Sequence, residues 1–303
     1  MANNNQEFSH TTLVPVDFSD TAMMALDHAI AVTKAINEGN KLITLLHVIE
    51  GGQFHTVSES SQLDAASRDS LAIEGAINRL KSVIENYNKI GDIGFKYIVA
   101  SGKPYRKISE IAEDINADLI VMGTHGSSGI QAFAGSNASK VIQTAHCPVI
   151  SVKEKPMQGD YQNIVLPLDL TRETKQKVKI AAMIARFFDA TVHILSMNES
   201  DEFLASKLKK NMAQVSKYFQ DQGVKTSTTI LSSSDFARQA IVWAQGKDAD
   251  LIIIMAQQDR GFSEFIFGST AQQIVNRSPV PVMTVRPRED LAAILGRTEA
   301  AAH

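Results

Sequence analysis

The sequence predicts an α/β protein of two tandem domains, each an open parallel sheet of five strands covered by helices on both faces. Two observations predict it. First, the chain repeats itself. TLVPVD at 12–17 returns as IVLPLD at 164–169, ADLIV at 117–121 as ADLII at 249–253, and AHCPVISV at 145–152 as SPVPVMTV at 278–285. Phe133 matches Phe265, and Gly135-Ser136 matches Gly268-Ser269. The landmarks keep their order over a period far too long for a solenoid, so the chain is a tandem duplication. Second, short apolar runs alternate with amphipathic stretches in both halves, the pattern of parallel strands joined by right-handed crossovers. Charge, Pro156 and Gly159 interrupt the pattern near 153–160. This gives domains over 1–156 and 157–287 and a tail over 288–303.

In the first half, 13–16 reads as a strand. Ser19 or Asp20 then caps a helix, a side-chain oxygen accepting from its free N–H groups, and Ala22, Leu26, Ala29, Ile30 and Thr33 form its buried stripe. The continuous apolar run 42–49 reads as a strand buried on both faces. Helical spacing over 63–88 runs through Leu71, Ala76, Leu80, Val83, Ile84 and Tyr87. A strand over 95–99, a helix over 108–116, a strand over 119–122, a helix over 138–145 and a strand over 149–152 complete the half. The second half repeats the plan, with strands over 164–168, 191–197, 226–231, 251–255 and 280–285. Helices lie between them over 172–188, 201–222, 235–246 and 270–277. The first half is longer mainly through 51–70, a polar stretch without period that is predicted to be a mobile loop or lid.

Composition narrows the function classes. With 303 residues, 44% hydrophobic and 21% charged, the chain can bury a full core. A formal net charge of −3 lacks the basic excess of a nucleic-acid binder. Lys207, Lys209 and Lys210 read as a solvated helix face. The single cysteine, Cys147, excludes an intrachain disulfide and reads as a small packed hydrophobe. MANNNQEFSH has no signal-peptide pattern, and no apolar run approaches 18 residues, so no membrane partner is expected and a cytoplasmic location is.

In an open parallel sheet, ligands bind beyond the carboxyl ends of the strands, where strand order reverses. There the chain places Gly123-Thr-His-Gly126-Ser-Ser-Gly129, then Gly135-Ser136 opening the last helix. Glycines let backbone N–H groups approach a ligand, and a helix N-terminus adds free donors and partial positive charge. The segment therefore reads either as an anion cradle or as a turn that merely connects strand to helix. It is not a P-loop, since Gly102-Lys103 runs into Pro104 and Gly246-Lys247 into Asp248. His125 reads equally as a phosphate contact or a solvent-facing loop residue, and His47 as a satisfied core histidine. The histidines and carboxylates show no metal-ligand spacing, so no resident metal is expected. Ser127, Ser128 and Ser136 have no evident base, so no catalytic residue is assigned.

VPVD at 14–17, LLHV at 45–48, ADLIVMGTHGSSG at 117–129, Gly135-Ser136 and CPVI at 147–150 resemble the universal stress protein (UspA) family in its tandem two-domain form, over about 8–152 and 162–286. The resemblance implies Rossmann-like, adenine-nucleotide alpha-hydrolase-like domains. It implies pairing of the domains through their last strands, 149–152 against 282–285, and is compatible with a homodimer. It implies an adenine nucleotide, ATP, as ligand. Gly123 and Gly126 would pass the ribose and phosphates, with His125 between them. Gly135, Ser136 and Asn137 would hold phosphate, and Pro15, Asp17 and Val48 the adenine or ribose end. Mg²⁺ would enter only with a triphosphate.

ATP-binding members carry G-x-x-G, nine residues, then G-[ST]. Here eight residues separate Gly126 from Gly135. A residue lost from a helical turn rotates the rest of the helix by about 100° and shifts it by about 1.5 Å; lost from a loop, it can leave the cradle intact. The second domain keeps Asp169 and the nine-residue spacing, but Met255 and Gln258 replace the first two glycines. The expectation is a non-enzymatic, nucleotide-binding stress-response module with the first domain as the site. The alternative is a nucleotide-independent scaffold. A slow ATPase finds no water-positioning or transition-state arginine in the sequence.

Overall fold

The computed structural model describes residues 10–35, 39–51, 56–58, 70–87, 91–124, 137–157, 159–168, 174–232, 235–258, 265–266 and 269–286. The chain divides into two compact units, Met1–Val152 and Lys153–His303.

The first unit runs β1 (His10–Pro15), α1 (Asp20–Lys34), β2 (Lys41–Ile49), β3 (Val57–Ser58), α2 (Ser70–Tyr87), β4 (Ile93–Ser101), α3 (Pro104–Asp114), β5 (Leu119–Gly123), α4 (Asn137–Thr144) and β6 (Val149–Val152). Five strands are parallel, in the order β4-β2-β1-β5-β6. The second unit runs β7 (Asn163–Leu168), α5 (Thr174–Phe188), β8 (Thr191–Met197), α6 (Glu202–Asp221), β9 (Lys225–Leu231), α7 (Phe236–Gly246), β10 (Leu251–Met255), β11 (Gln257–Gln258), β12 (Phe265–Ile266), α8 (Ser269–Arg277) and β13 (Val282–Val285). Its parallel order, β9-β8-β7-β10-β13, repeats that of the first unit.

The predicted stripe of α1 is observed: Ala22, Leu26, Ala29, Ile30 and Thr33 are all buried. Thr33 fits among apolar groups because its hydroxyl bonds that of Thr12 at 2.9 Å. Ser19 caps the helix, its side chain accepting from the Ala22 amide at 3.2 Å. Cys147 is buried as a free thiol.

The duplicated Ala-Asp pairs have a structural explanation. The Asp118 carboxylate accepts from the Thr11 amide at 2.9 Å, and the Asp118 amide donates to the Thr11 carbonyl at 2.8 Å. Asp250 does the same for the second unit, accepting from the Gln162 and Asn163 amides at 2.7 and 2.9 Å. Each aspartate ties the start of the first strand of its unit to the start of the fourth parallel one.

The structure departs from the sequence reading in several places, among them β1, which starts at His10 rather than 13, and β4, which spans Ile93–Ser101 rather than 95–99. Helix α3 starts at Pro104, ahead of the predicted 108, because a proline has no amide to lose in the first turn of a helix. Leu71, read as part of the buried stripe of α2, is 83% exposed; the buried face runs through Ile73, Ala76, Ile77, Leu80 and Ile84. Strand β13 starts at Val282, after Pro281. Within the stretch read as a loop or lid, Val57 and Ser58 form β3, antiparallel to β4 and opposite Val99 and Ile98. Residues 52–55 and 59–69 of that loop and the tail over 288–303 lie outside the described residues.

Candidate functional site

Successive strands of the first unit step from β1 through β2 to β4 in one direction and from β5 to β6 in the other. The reversal therefore lies between β1 and β5. Those strands pair only through Thr12 with Leu119 and Leu13 with Ile120, while Val121, Met122 and Gly123 continue beside β6. Past that point no pairing joins β1 to β5, and this is where a reversal of strand order is expected to place a crevice.

Five of the predicted site residues are described, and all belong to this end of the sheet. Pro15 ends β1, Asp17 follows it, Val48 lies one residue from the end of β2, Gly123 ends β5, and Asn137 starts α4. His125, Gly126, Gly135 and Ser136 lie outside the described residues. Asp17 is exposed, and its Oδ1 accepts from the Ser19 amide at 3.0 Å and the Ser19 hydroxyl at 2.6 Å, an Asx turn that leads into the cap of α1. Gly123 has a packing reason of its own. A Cβ there would stand 3.1 Å from the Thr21 backbone, so the glycine lets the first turn of α1 approach the end of β5.

Sequence reasoning missed the cluster beside Asp17. Phe18 has φ 63°, a left-handed conformation that costs a side-chain-bearing residue about 1–2 kcal/mol. Its ring lies against His47, with centroids 4.8 Å apart, and under the Arg79 guanidinium at 3.8 Å. His47 is half-buried, and its Nδ1 lies 2.7 Å from the Val16 carbonyl. A carbonyl only accepts, so Nδ1 carries the proton. His47 is therefore satisfied, though at the rim of the crevice rather than in the core. No sequence pattern signals the positive φ of Phe18.

The second unit has the same reversal between β7 and β10, where Leu251 pairs with Ile164 and Ile252 with Val165. The strand registers give residue equivalences: Pro15 faces Leu46 and Pro167 faces Leu195, which equates His47 with Ser196. Ser196 donates to the Leu168 carbonyl at 3.0 Å, the bond His47 makes to Val16. Other equivalent positions near the reversal carry different residues. Met255 stands where Gly123 ends β5, and it is buried. At the position of Ala25 the second unit has Lys177, which is 3% exposed and donates from Nζ to the Pro167 carbonyl at 2.6 Å. Gln258 pairs with Phe265 in a short β11–β12 hairpin. Asp169 and Gly268 lie outside the described residues.

Lys177 had a sequence signal. It stands at i−4 and i−7 from Ala181 and Ile184, on the buried stripe of α5. His193, at the place of Thr44, is enclosed between the Ser227 hydroxyl at 2.7 Å and the Asn163 side-chain oxygen at 2.9 Å, with Trp243 at 5.1 Å. Burial, and then the charge of Lys247, holds its pKa below the usual histidine range.

Among the described residues, no three His, Cys, Asp or Glu side chains gather as a metal site, and no helix is long and apolar enough to cross a membrane.

Fold and crevice together define the class: a duplicated, doubly wound α/β protein with a carboxylate following the first strand of its first unit. The chain belongs to the universal stress protein family, whose model matches it twice, over residues 9–153 and 160–286. A universal stress protein of Methanocaldococcus jannaschii is 34% identical over 155 residues, covering 47% of this chain and 94% of its own. A second from the same organism is 31% identical over 154 residues, covering 50% of this chain and 86% of its own. The crystal structure of a universal stress protein from Archaeoglobus fulgidus shares the fold over 93% of this chain and 98% of its own, with a TM-score of 0.71 and 19% identity.

Proposed function

We propose that this protein is a non-enzymatic stress-response module that binds an adenine nucleotide, ATP or a relative, in the crevice of its first unit. The unequal lining of the two crevices carries the reading. In the first unit, small residues, Ala25 and Gly123, stand at the reversal beside Asp17. In the second, Lys177 and Met255 stand at the same places, both buried. There a buried ammonium bonds the Pro167 carbonyl at 2.6 Å and a buried thioether chain replaces a glycine, so the second unit is assigned a structural role.

Asp17 and the Val48 main chain suit adenine or ribose, which offer donors as well as acceptors. Gly123, His125, Gly126, Gly135, Ser136 and Asn137 are assigned to the phosphates. Mg²⁺ is assigned to the triphosphate. Nucleotide binding would act by differential affinity for two conformations of the protein, which a partner protein then reads.

The test is the small molecule released on denaturing the purified protein, with the shift in melting temperature at millimolar ATP. Release of an adenine nucleotide, and a shift that disappears in Gly126→Val and Asp17→Ala, supports the proposal. Neither release nor shift rejects it in favour of a nucleotide-independent scaffold. One observation favours that second reading: the contact of Gly123 with Thr21 explains this glycine without any ligand.

A further inference from the structure

The two units also differ at the sheet edge farthest along the order from the reversal. In the first unit this edge is β4, where Tyr97, Val99 and Ala100 are buried and β3 lies antiparallel on the outer side, Val57 opposite Val99 and Ser58 opposite Ile98. In the second unit it is β9, where Lys225, Ser227, Thr228 and Ile230 are exposed. Ile98 faces Leu46 as Thr229 faces Leu195, so Thr229 and Ile230 occupy the positions that β3 covers in the first unit. Among the described residues no strand pairs with the outer side of β9. An edge of this length left bare is a template for another strand.

A groove runs between this edge and α6. It has a volume of about 440 Å³ and is lined by Met212, Thr228 and Ile230, with Lys209 and Lys217 at its sides, Lys217 also pairing with Asp221 at 3.2 Å on the exposed face of α6. Through Lys209 and Ala213 it continues into a second hollow of about 480 Å³ bordered by Lys210. The carboxylate lining either hollow is Glu202, at the far end. The groove thus combines an apolar floor, a bare strand edge and three lysines.

We propose that the β9 edge and the α6 groove receive an extended acidic segment of another protein as an added antiparallel strand. Main-chain hydrogen bonds along the edge would supply affinity, and alternate side chains would supply specificity. The β3–β4 pair is the geometric precedent within the same chain. Charge selects the occupant. A second copy paired across the same edge would bring its own Lys209 and Lys217 over this groove, where like charges repel, whereas carboxylates of an acidic strand meet them favourably. The inference is independent of the nucleotide assignment.

The experiment uses the full chain and a fluorescent heptapeptide of alternating glutamate and valine. Three comparisons are made: the same peptide N-methylated at alternate amides, a peptide with lysine in place of glutamate, and the Lys209→Glu/Lys217→Glu protein. The proposal expects at least tenfold weaker binding of the N-methylated peptide, at least tenfold weaker binding of the acidic peptide to the double variant, and a gain of lysine-peptide binding by that variant. Equal binding of the N-methylated peptide would overturn strand addition. Undetectable binding, or tighter binding of single-stranded DNA than of the acidic peptide at this face, would overturn the choice of partner. A dimer of the unaltered chain that excludes the acidic peptide would assign the edge to a second copy instead.

Discussion

The two halves of this chain share a frame and differ in what fills it. The reversal between the first and fourth parallel strands, the aspartate tying those strands together and the bond beneath the crevice recur in both units: Asp118 with Asp250, His47–Val16 with Ser196–Leu168. What changes is the lining. Ala25 and Gly123 give way to Lys177 and Met255, and the edge β4, covered by β3, gives way to β9, on whose outer side no strand pairs among the described residues. After duplication, residues that hold the sheet are constrained by backbone groups that every copy must satisfy. Residues facing a crevice or an edge carry no such requirement and can diverge. The comparison therefore separates scaffold residues from candidate functional ones without an alignment.

The largest expected effects test the shared frame. Asp250 serves two backbone amides and Lys155 at 3.2 Å, with 17% side-chain exposure, while Asp118 serves one amide at 35% exposure. Asp250→Ala is expected to cost about 3 kcal/mol and Asp118→Ala about 1.5, because Asp250 loses two charge-assisted bonds to backbone amides and an ion pair where Asp118 loses one such bond. Urea unfolding of each variant measures this, and equal costs would break the ranking. Next comes the lining of the second crevice. Lys177→Ala, which copies the first unit, is expected to cost about 2 kcal/mol by stranding the Pro167 carbonyl. A loss within error would mean that the lysine is not held as described.

The smallest effect is a pH dependence confined to the second unit. The depressed pKa of His193 means that the fold favours neutral imidazole. Its contribution is fully present above the unfolded histidine value of about 6.5 and is lost as pH falls below it. His193→Thr, which copies Thr44, is expected to flatten the fall in unfolding free energy between pH 7.5 and pH 5. An unchanged slope would assign the dependence to other groups.

Much of the fold was legible because its signals are redundant. Strands 149–152, 191–197 and 251–255 have the bounds read from the sequence, each an apolar run with a turn signal on either side. Elements lacking such signals were not legible. Two-residue strands such as β3 and β11 are set by their pairing partners rather than by their own composition, and the positive φ of Phe18 is a tertiary outcome. For the site, the motif positions at strand ends could be read because topology dictates where they fall. The inward place of Lys177 was readable from its spacing to Ala181 and Ile184 on the stripe of α5, whereas its bond to the Pro167 carbonyl had no local signal. Arg79 reaches Phe18 from a helix distant in sequence, and no local pattern announces that.

The central claim is that the chain offers one nucleotide seat, in its first unit. Equilibrium dialysis of the nucleotide-stripped protein against labelled ATP tests it most directly. The account predicts one ATP per chain, lost in Gly126→Val and kept in a Met255→Leu variant. Two equivalents of ATP per chain, or one that survives Gly126→Val and Asp17→Ala together, would contradict it.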